Sequence, residues 1–429
     1  MQKKVINIGL MGCGTVGGGV WKVLDTNRDI IRKRVGIEIS IKKVLEKDVD
    51  KAKAAGVPVK KIISKPEIIF DDPDIDVVVE VIGGTTLAAE LIKKALMAGK
   101  SVVTANKDLL AQDGQELFQI AEQNKVDLLF EASVGGGIPI IRPLKECLAA
   151  NRVETVYGIV NGTTNYMLTK MSDEGSSYSD VLAEAKQKGY AEADPTSDVE
   201  GYDAARKLAI LASIAFNTRV SFKDVFVEGI TKVTARDIMY ARELNCAVKL
   251  LAIGKDIDGK IEVRVHPTFI PQNHPLASVN DVFNGVFIHG DAVGDVMFYG
   301  RGAGELPTAS AVVGDVIDCA RNILKGARGR LSCTCYDHKL IKDIGETRTK
   351  YYVRMKVLDR PSVLAAIASV FGNQEVSLAS VIQKRNIENI AEIVWVTHDV
   401  LENNIQDALK IIGGLSIVEE ISNVIRVEG

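Results

Sequence analysis

The sequence predicts an α/β protein: a Rossmann-type doubly wound parallel sheet, then a second α+β domain, then a ferredoxin-like C-terminal unit. Three observations predict it. A glycine turn, Gly12-x-Gly14-x-x-Gly17, joins a β-branched run to a helix start. Short apolar runs alternate with helical stretches as far as Ile141. The last eighty residues repeat strand, helix, strand, strand, helix, strand.

In the first domain, residues 1–142, the strand candidates are Val5 to Leu10, Ile37 to Leu45, Val77 to Ile82, Ser101 to Thr104 and Asp127 to Phe130. Helix candidates Gly17 to Leu24, Leu87 to Ala98 and Gly114 to Asn124 lie between them, and Gly99 stands where a helix C-cap belongs. Residues 143–325 read as the second domain, with a strand at Val156 to Val160, helices at Tyr178 to Lys188 and Asp203 to Phe216, and further strands near Lys260 to Phe269. Its last helix, over about 303–325, is expected to return to the first domain. Residues 326–349 lack a sustained period and read as a linker, and 350–429 form the third, separable unit.

A chain of 429 residues exceeds one ordinary core. Its 25% charged residues and net charge of −3 leave no concentrated positive field for nucleic acid or an anionic membrane. No apolar run reaches the roughly 20 residues of a membrane span. Cys13, Cys147, Cys246, Cys319, Cys333 and Cys335 are too sparse for a disulfide scaffold, so a reducing cytoplasm is expected. The five histidines lack acidic or histidine partners at ligand spacing and read as structural.

The glycine turn is suited to a dinucleotide. Gly12 makes the turn, Gly14 lets backbone approach a pyrophosphate, Gly17 lets helix and strand pack, and the helix start at Thr15 and Val16 offers amide donors. The end of the second strand carries both Glu46, suited to the ribose of NAD, and Lys47, suited to the 2′-phosphate of NADP. The choice of cofactor stays open. Gly84, Thr85 and Thr104 lie on the sheet's carboxyl edge, where Lys107 is a candidate site cation. The loop Glu131 to Pro139 either binds a hard cation through oxygens or is a bend between domains.

From Ala191 to Lys207 five carboxylates, Glu192, Asp194, Asp198, Glu200 and Asp203, precede Lys207. Their spacing fits neither an EF-hand nor a transition-metal site. Two readings remain: an exposed i,i+4 ion pair between Asp203 and Lys207, or a pocket for an amino-acid ammonium with a lysine as proton donor. No cysteine has a histidine partner, which disfavours acyl-enzyme chemistry and leaves hydride exchange with an alcohol.

The runs GLMGCGTVG, VVVEVIGG, TANKDLL, EASVGGGIPI, GIVNGTTNYML and AEADPTSDVEGYDAARK together resemble the homoserine dehydrogenase family, in the family's order and across almost the whole chain. The resemblance implies reversible reduction of aspartate 4-semialdehyde to homoserine with NADP or NAD, on the route to threonine, methionine and isoleucine. It implies Lys207 as catalytic acid and base, with Lys107 close to nicotinamide and substrate. Glu192 and Asp203, with Asp198 and Thr163, become the substrate-binding candidates, and Gly302 a further cofactor contact. Glu131, with main-chain oxygens of Val134, Gly136 and Ile138, resembles the family's sodium site.

Hydride addition to an aldehyde leaves an alkoxide, which one cation must stabilise and one group must protonate. Two lysines suit that. A lysine near its ordinary pKa of about 10.4 is a reluctant base, so alcohol oxidation should be favoured at alkaline pH. The alternatives are a binding protein that has lost catalysis, and a dehydrogenase for another short amino or hydroxy acid.

The C-terminal unit resembles an ACT domain, which implies feedback control by threonine and a homodimer or homotetramer. Many such domains carry Gly after Asp-x-Pro, whereas this chain reads Asp359-Arg360-Pro361-Ser362. Serine there narrows the backbone approach for an effector. A module that only dimerises is the other reading.

Overall fold

The computed structural model describes residues 3–387 and 389–429. The first part of the chain runs β1 (Val5–Met11), α1 (Thr15–Thr26), α2 (Arg28–Val35), β2 (Glu38–Leu45), α3 (Val49–Ala54), β3 (Ile62–Ile63), α4 (Glu67–Phe70), β4 (Ile75–Glu80), α5 (Thr86–Met97), β5 (Ser101–Thr104), α6 (Lys107–Gln123) and β6 (Leu128–Leu129). These six strands form one parallel sheet in the order β3-β2-β1-β4-β5-β6. The order reverses between β1 and β4, which opens a crevice at their carboxyl ends. All six residues of β4 are buried, as expected of a central strand covered on both faces.

The middle of the chain contains β7 (Val153–Ile159), α7 (Gly162–Glu174), α8 (Tyr178–Gln187), α9 (Thr196–Val199), α10 (Tyr202–Ala215), β8 (Phe226–Val227), α11 (Ala235–Glu243), β9 (Cys246–Ile257) and β10 (Lys260–Pro271). The hairpin β11 (Phe283–Gly290) and β12 (Gly294–Arg301) follows, then the long helix α12 (Glu305–Lys325). Val312, Val316 and Cys319 of α12 pack in one core with Val20 and Leu24 of α1.

The C-terminal stretch begins with β13 (Leu340–Ile341) and continues β14 (Arg348–Leu358), α13 (Val363–Asn373), β15 (Leu378–Ile387), β16 (Ile390–Thr397), β17 (Val400–Leu401), α14 (Glu402–Gly413) and β18 (Val418–Val427). The βαββαβ order is as expected, with β18, β14, β16 and β15 paired antiparallel in that spatial sequence. Trp395 and Phe371, both fully buried with ring centroids 5.4 Å apart, anchor its core. Ser362 adopts the left-handed conformation with φ +69°, so the position that favours glycine carries a strained serine.

Packing groups the chain into two compact units. One comprises residues up to Val156, Arg206–Asp224 and Phe283–His338; the other comprises Tyr157–Ala205, Val225–Val282 and Lys339–Gly429. Residues 339–429 fall in the same unit as β8, β9 and β10. The physical reason lies in β10, whose edge accepts both β13 and the C-terminal strand β18, with Thr268 opposite Arg426 and Phe269 opposite Val427. Buried charges hold that seam: Arg264 donates to Glu262 and Glu428, and Lys255 and Tyr157 also donate to Glu428.

Candidate active site

The glycine turn has the geometry its residues demand. Gly12 has φ +95°, and a β-carbon there would lie 2.8 Å from the Val81 carbonyl oxygen. A β-carbon on Gly17 would lie 2.1 Å from the Gly12 oxygen, so the first turn of α1 sits directly on the loop. Gly14 occupies the N-cap without a side-chain hydrogen bond, which leaves the Thr15 and Val16 end of α1 suited to a phosphate.

Glu46 takes an unforeseen part. Its carboxylate accepts the Cys13 amide at 2.7 Å, and the Lys47 and Asp48 amides at 2.9 and 3.1 Å. It thereby ties the end of β2 to the glycine turn. Lys47 is exposed, and Lys51 on α3 holds its ammonium 3.5 Å from where a Gly14 β-carbon would be. A cation thus overlies the turn, at a position that spacing from the strand end did not single out.

Across the sheet's carboxyl edge, Glu80 organises the next two loops. This fully buried carboxylate accepts the Ile82 and Gly83 amides at 2.8 and 3.2 Å and the Thr104 hydroxyl at 2.7 Å. Thr104 Oγ1 accepts the Asn106 amide, the Asn106 carbonyl oxygen caps α6 at Leu109, and its Nδ2 donates to the Gly84 oxygen at 2.7 Å. Thr85 is the N-cap of α5. The loop carrying Gly84 and the start of α6 are therefore one hydrogen-bonded assembly, and Lys107 is the first residue of that helix.

Lys107 and Lys207 are both half-buried. Their chain neighbours meet: Arg206 Nε lies 3.1 Å from Asp108 Oδ1, and the guanidinium also covers the Phe222 ring at 5.0 Å. This ion pair ties the first turn of α6 to α10. The two lysines thus stand on helices joined beside them.

The loop after β6 is built on Glu131. Its buried carboxylate accepts three amides, Ile140 and Ile141 on Oε1 at 2.5 and 2.7 Å and Arg142 on Oε2 at 2.9 Å, while its own amide donates to Asp315. Burial and the Glu131 charge raise the Asp315 carboxyl to about 7. Gly137 donates to the Arg301 oxygen, and a β-carbon on Gly136 would lie 2.3 Å from the Gly302 oxygen, so this loop and Gly302 are in backbone contact. Ser133 Oγ is buried there without a hydrogen-bond partner. An all-oxygen set of this kind, with a buried carboxylate and an unsatisfied hydroxyl, fits a hard monovalent cation better than a soft one.

In the second unit, Asn161 draws two of the sequence's carboxylates together. Its Nδ2 donates to Asp198 Oδ1 at 2.7 Å and to Asp203 Oδ2 at 2.9 Å, and its oxygen caps α7 at Thr164. Asp203 is 7% exposed, so it is not one half of a solvated surface pair. Thr163 donates to the Tyr190 oxygen, Glu192 is exposed, and Asp194 accepts the Thr196 amide and hydroxyl just before α9.

Comparison with known proteins decides the family. The family described as "Homoserine dehydrogenase, NAD binding domain" matches residues 12–131, and "Homoserine dehydrogenase" matches 139–317. The homoserine dehydrogenase of Bacillus subtilis is 44% identical over 428 residues, covering 99% of each chain. The chain belongs to the homoserine dehydrogenase family. It is an NAD(P)-dependent oxidoreductase acting on a CH–OH group. The crystal structure of a homoserine dehydrogenase from Thiobacillus denitrificans superposes with a TM-score of 0.94 at 42% identity, covering 99% of this chain and 98% of that one. A hyperthermophilic archaeal homoserine dehydrogenase in complex with NADPH matches with a TM-score of 0.62 at 30% identity, over 73% of this chain and 97% of that one.

Gly12 and Gly17 lie at the turn between β1 and α1, Thr104 ends β5 and Lys107 opens α6, while Glu80, Asn106 and Asn161 were not singled out by spacing. Each left a signal. Glu80 is a carboxylate ending an otherwise apolar strand, and Asn106 and Asn161 precede helices as N-caps do. One histidine departs from the reading: His289 Nδ1 lies 2.7 Å from Asp295 across the β11–β12 hairpin.

Proposed function

We propose that the chain interconverts L-aspartate 4-semialdehyde and L-homoserine, with Lys207 as acid and base and Lys107 as the cation that stabilises developing negative charge. The observation that carries this reading is the Arg206–Asp108 ion pair, which joins the two lysine-bearing helices beside their lysines. A bound nicotinamide cofactor would supply the hydride in its reduced form, NADPH or NADH, and accept it in its oxidised form. Lys107 opposes alkoxide charge, and Lys207 delivers the proton to that oxygen or removes it in reverse. Asp198, Asp203 and Glu192 hold the substrate ammonium, with Thr163 at the start of α7, and water is kept from Asp203 by its burial.

Thr15, Val16, Gly84, Thr85, Thr104 and Gly302 belong to the cofactor's surroundings. Because Glu46 is committed to three amides while Lys47 and Lys51 are cationic, NADP is the cofactor this arrangement favours. Sodium on Glu131 and the main-chain oxygens of Val134, Gly136 and Ile138 would stiffen the loop against Gly302 and takes no chemical step. The βαββαβ segment is the seat of an amino-acid effector, threonine, and of assembly into dimers or tetramers, in a cytoplasmic protein.

Initial rates of homoserine oxidation with NADP and with NAD, each with and without threonine and sodium, test this reading. Turnover of homoserine with the larger kcat/KM for NADP supports it. Binding of cofactor without turnover of homoserine or the semialdehyde overturns it in favour of a sensor.

A further inference from the structure

Two thiols outside the proposed chemistry stand in a setting where thiols react. Cys333 and Cys335 flank Thr334 after α12, and both are partly exposed, whereas Cys13, Cys246 and Cys319 are buried. Both thiols line one cleft, and the Cys335 thiol donates to the Ser213 oxygen at 3.7 Å. Interaction with Cys335, helped by the nearby charges of Lys145 and Arg219, lowers the Cys333 thiol and raises that of Cys335. Burial pushes the Cys13, Cys246 and Cys319 thiols up instead.

The surroundings form a cleft rather than an open surface. Phe118, Phe130, Ile214 and Val220 line it together with the two cysteines and the two cations. Lys145 donates to the Ser332 oxygen at 2.9 Å and lies over the Phe118 and Phe130 rings at 5.3 and 5.6 Å, while Arg219 donates to the Leu110 oxygen at 3.2 Å. The positive charges are therefore held in place. A small uncharged oxidant can enter past apolar walls and meet a sulfur anion stabilised by fixed cations.

We propose that Cys333 and Cys335 form a peroxide-reactive dithiol site that closes to a Cys333–Cys335 disulfide. The Cys333 sulfur attacks one oxygen of hydrogen peroxide. The O–O bond breaks, the leaving hydroxide takes a proton to become water, and Cys333 becomes a sulfenic acid. The Cys335 sulfur then attacks that of Cys333, forming the S–S bond as the second oxygen leaves with the thiol proton as water. Two electrons pass from the thiols to peroxide, and two waters form.

The cleft is also walled by Leu110 and Ala111 of α6 and by Ala209, Ile210 and Ser213 of α10. These are the helices of Lys107 and Lys207. On the reading given under the proposed function, closing the disulfide displaces those walls and lowers turnover several-fold.

The test uses the full-length protein and hydrogen peroxide near stoichiometry, with alkylation and peptide mass mapping. The expected result is a disulfide at Cys333–Cys335 formed before exposed Cys147 is oxidised, reversed by dithiothreitol. In Cys335→Ser a sulfenic acid on Cys333 should accumulate and be trapped by dimedone. At pH 6 iodoacetamide should label Cys333 roughly tenfold faster than an ordinary exposed thiol. Oxidation of Cys147 first, or no dimedone adduct in Cys335→Ser, overturns the site. These mass readouts do not depend on the enzyme's activity. A disulfide that forms with turnover unchanged overturns only the coupling to α6 and α10.

Discussion

Arg206 Nε lies 3.1 Å from Asp108 Oδ1, and each of these residues is the chain neighbour of a lysine assigned to the chemistry. The pair is partly exposed, at 29% and 43%, so its charge contributes little to folding. Its role is positional.

Asp108→Asn is therefore expected to lower kcat roughly tenfold, because small displacements of reacting groups are costly. Stability should change by less than about 1 kcal/mol. Steady-state kinetics beside a thermal melt checks both. An unchanged kcat would show that α6 and α10 hold their lysines without the bridge.

Glu80→Gln tests the clamp on the cofactor edge. The carboxylate accepts two amides and the Thr104 hydroxyl, all in a buried setting, and an amide nitrogen in its place would face donors. A loss of about 1–3 kcal/mol in stability is expected, with a weaker cofactor Kd measured by nucleotide fluorescence. Retention of both would mean that the loops of Gly84 and Asn106 are held by their own backbone.

Lys249 sets a pH dependence of stability. Its ammonium, 3% exposed, donates to the Val279 oxygen at 2.6 Å and Asn280 Oδ1 at 2.9 Å, and burial pulls its pKa down to about 8. The unfolded chain keeps that proton to about 10.4, so between these values it binds more protons than the folded one. Stability contributed by this group thus rises with pH through that window, and the cost of burying the charge is fully present below about 8. Relative to Lys249→Met, the wild type should gain about 2 kcal/mol between pH 7.5 and 9.5 in urea denaturation. Parallel curves for the two proteins would contradict this.

Removing residues 339–429 is expected to yield an unstable chain rather than a catalytic core without regulation. β18 leaves the edge of β10, and fully buried Arg264 loses Glu428. Removing one partner of a buried charge costs up to about 3–5 kcal/mol, less where a second partner such as Glu262 remains. Soluble expression and melting of the truncated chain, beside Glu428→Gln in the full chain, measure the effect. A truncated protein as stable as the whole would contradict it.

What the sequence disclosed follows what is local. The turn at Gly12 and Gly17 and the strands are written in neighbouring residues, since steric fit acts over a few positions. The pairing of β18 with β10, and of Arg206 with Asp108, joins residues separated by more than ninety positions. No periodicity encodes those. The carboxylates illustrate the same limit: spacing could not tell that Asn161 unites Asp198 and Asp203 while Asp194 binds only Thr196 beside it. Glu46 was legible as a carboxylate at the right strand end, but its commitment to the Cys13 amide needed the fold.

The central claim is that Lys207 moves the proton while the glycine turn holds the cofactor independently of it. Homoserine oxidation by Lys207→Ala, measured beside NADPH binding by fluorescence titration, tests this most directly. The account predicts a loss in kcat of roughly 10²–10⁴-fold with the cofactor Kd within about twofold of wild type. Wild-type turnover in that variant would contradict it.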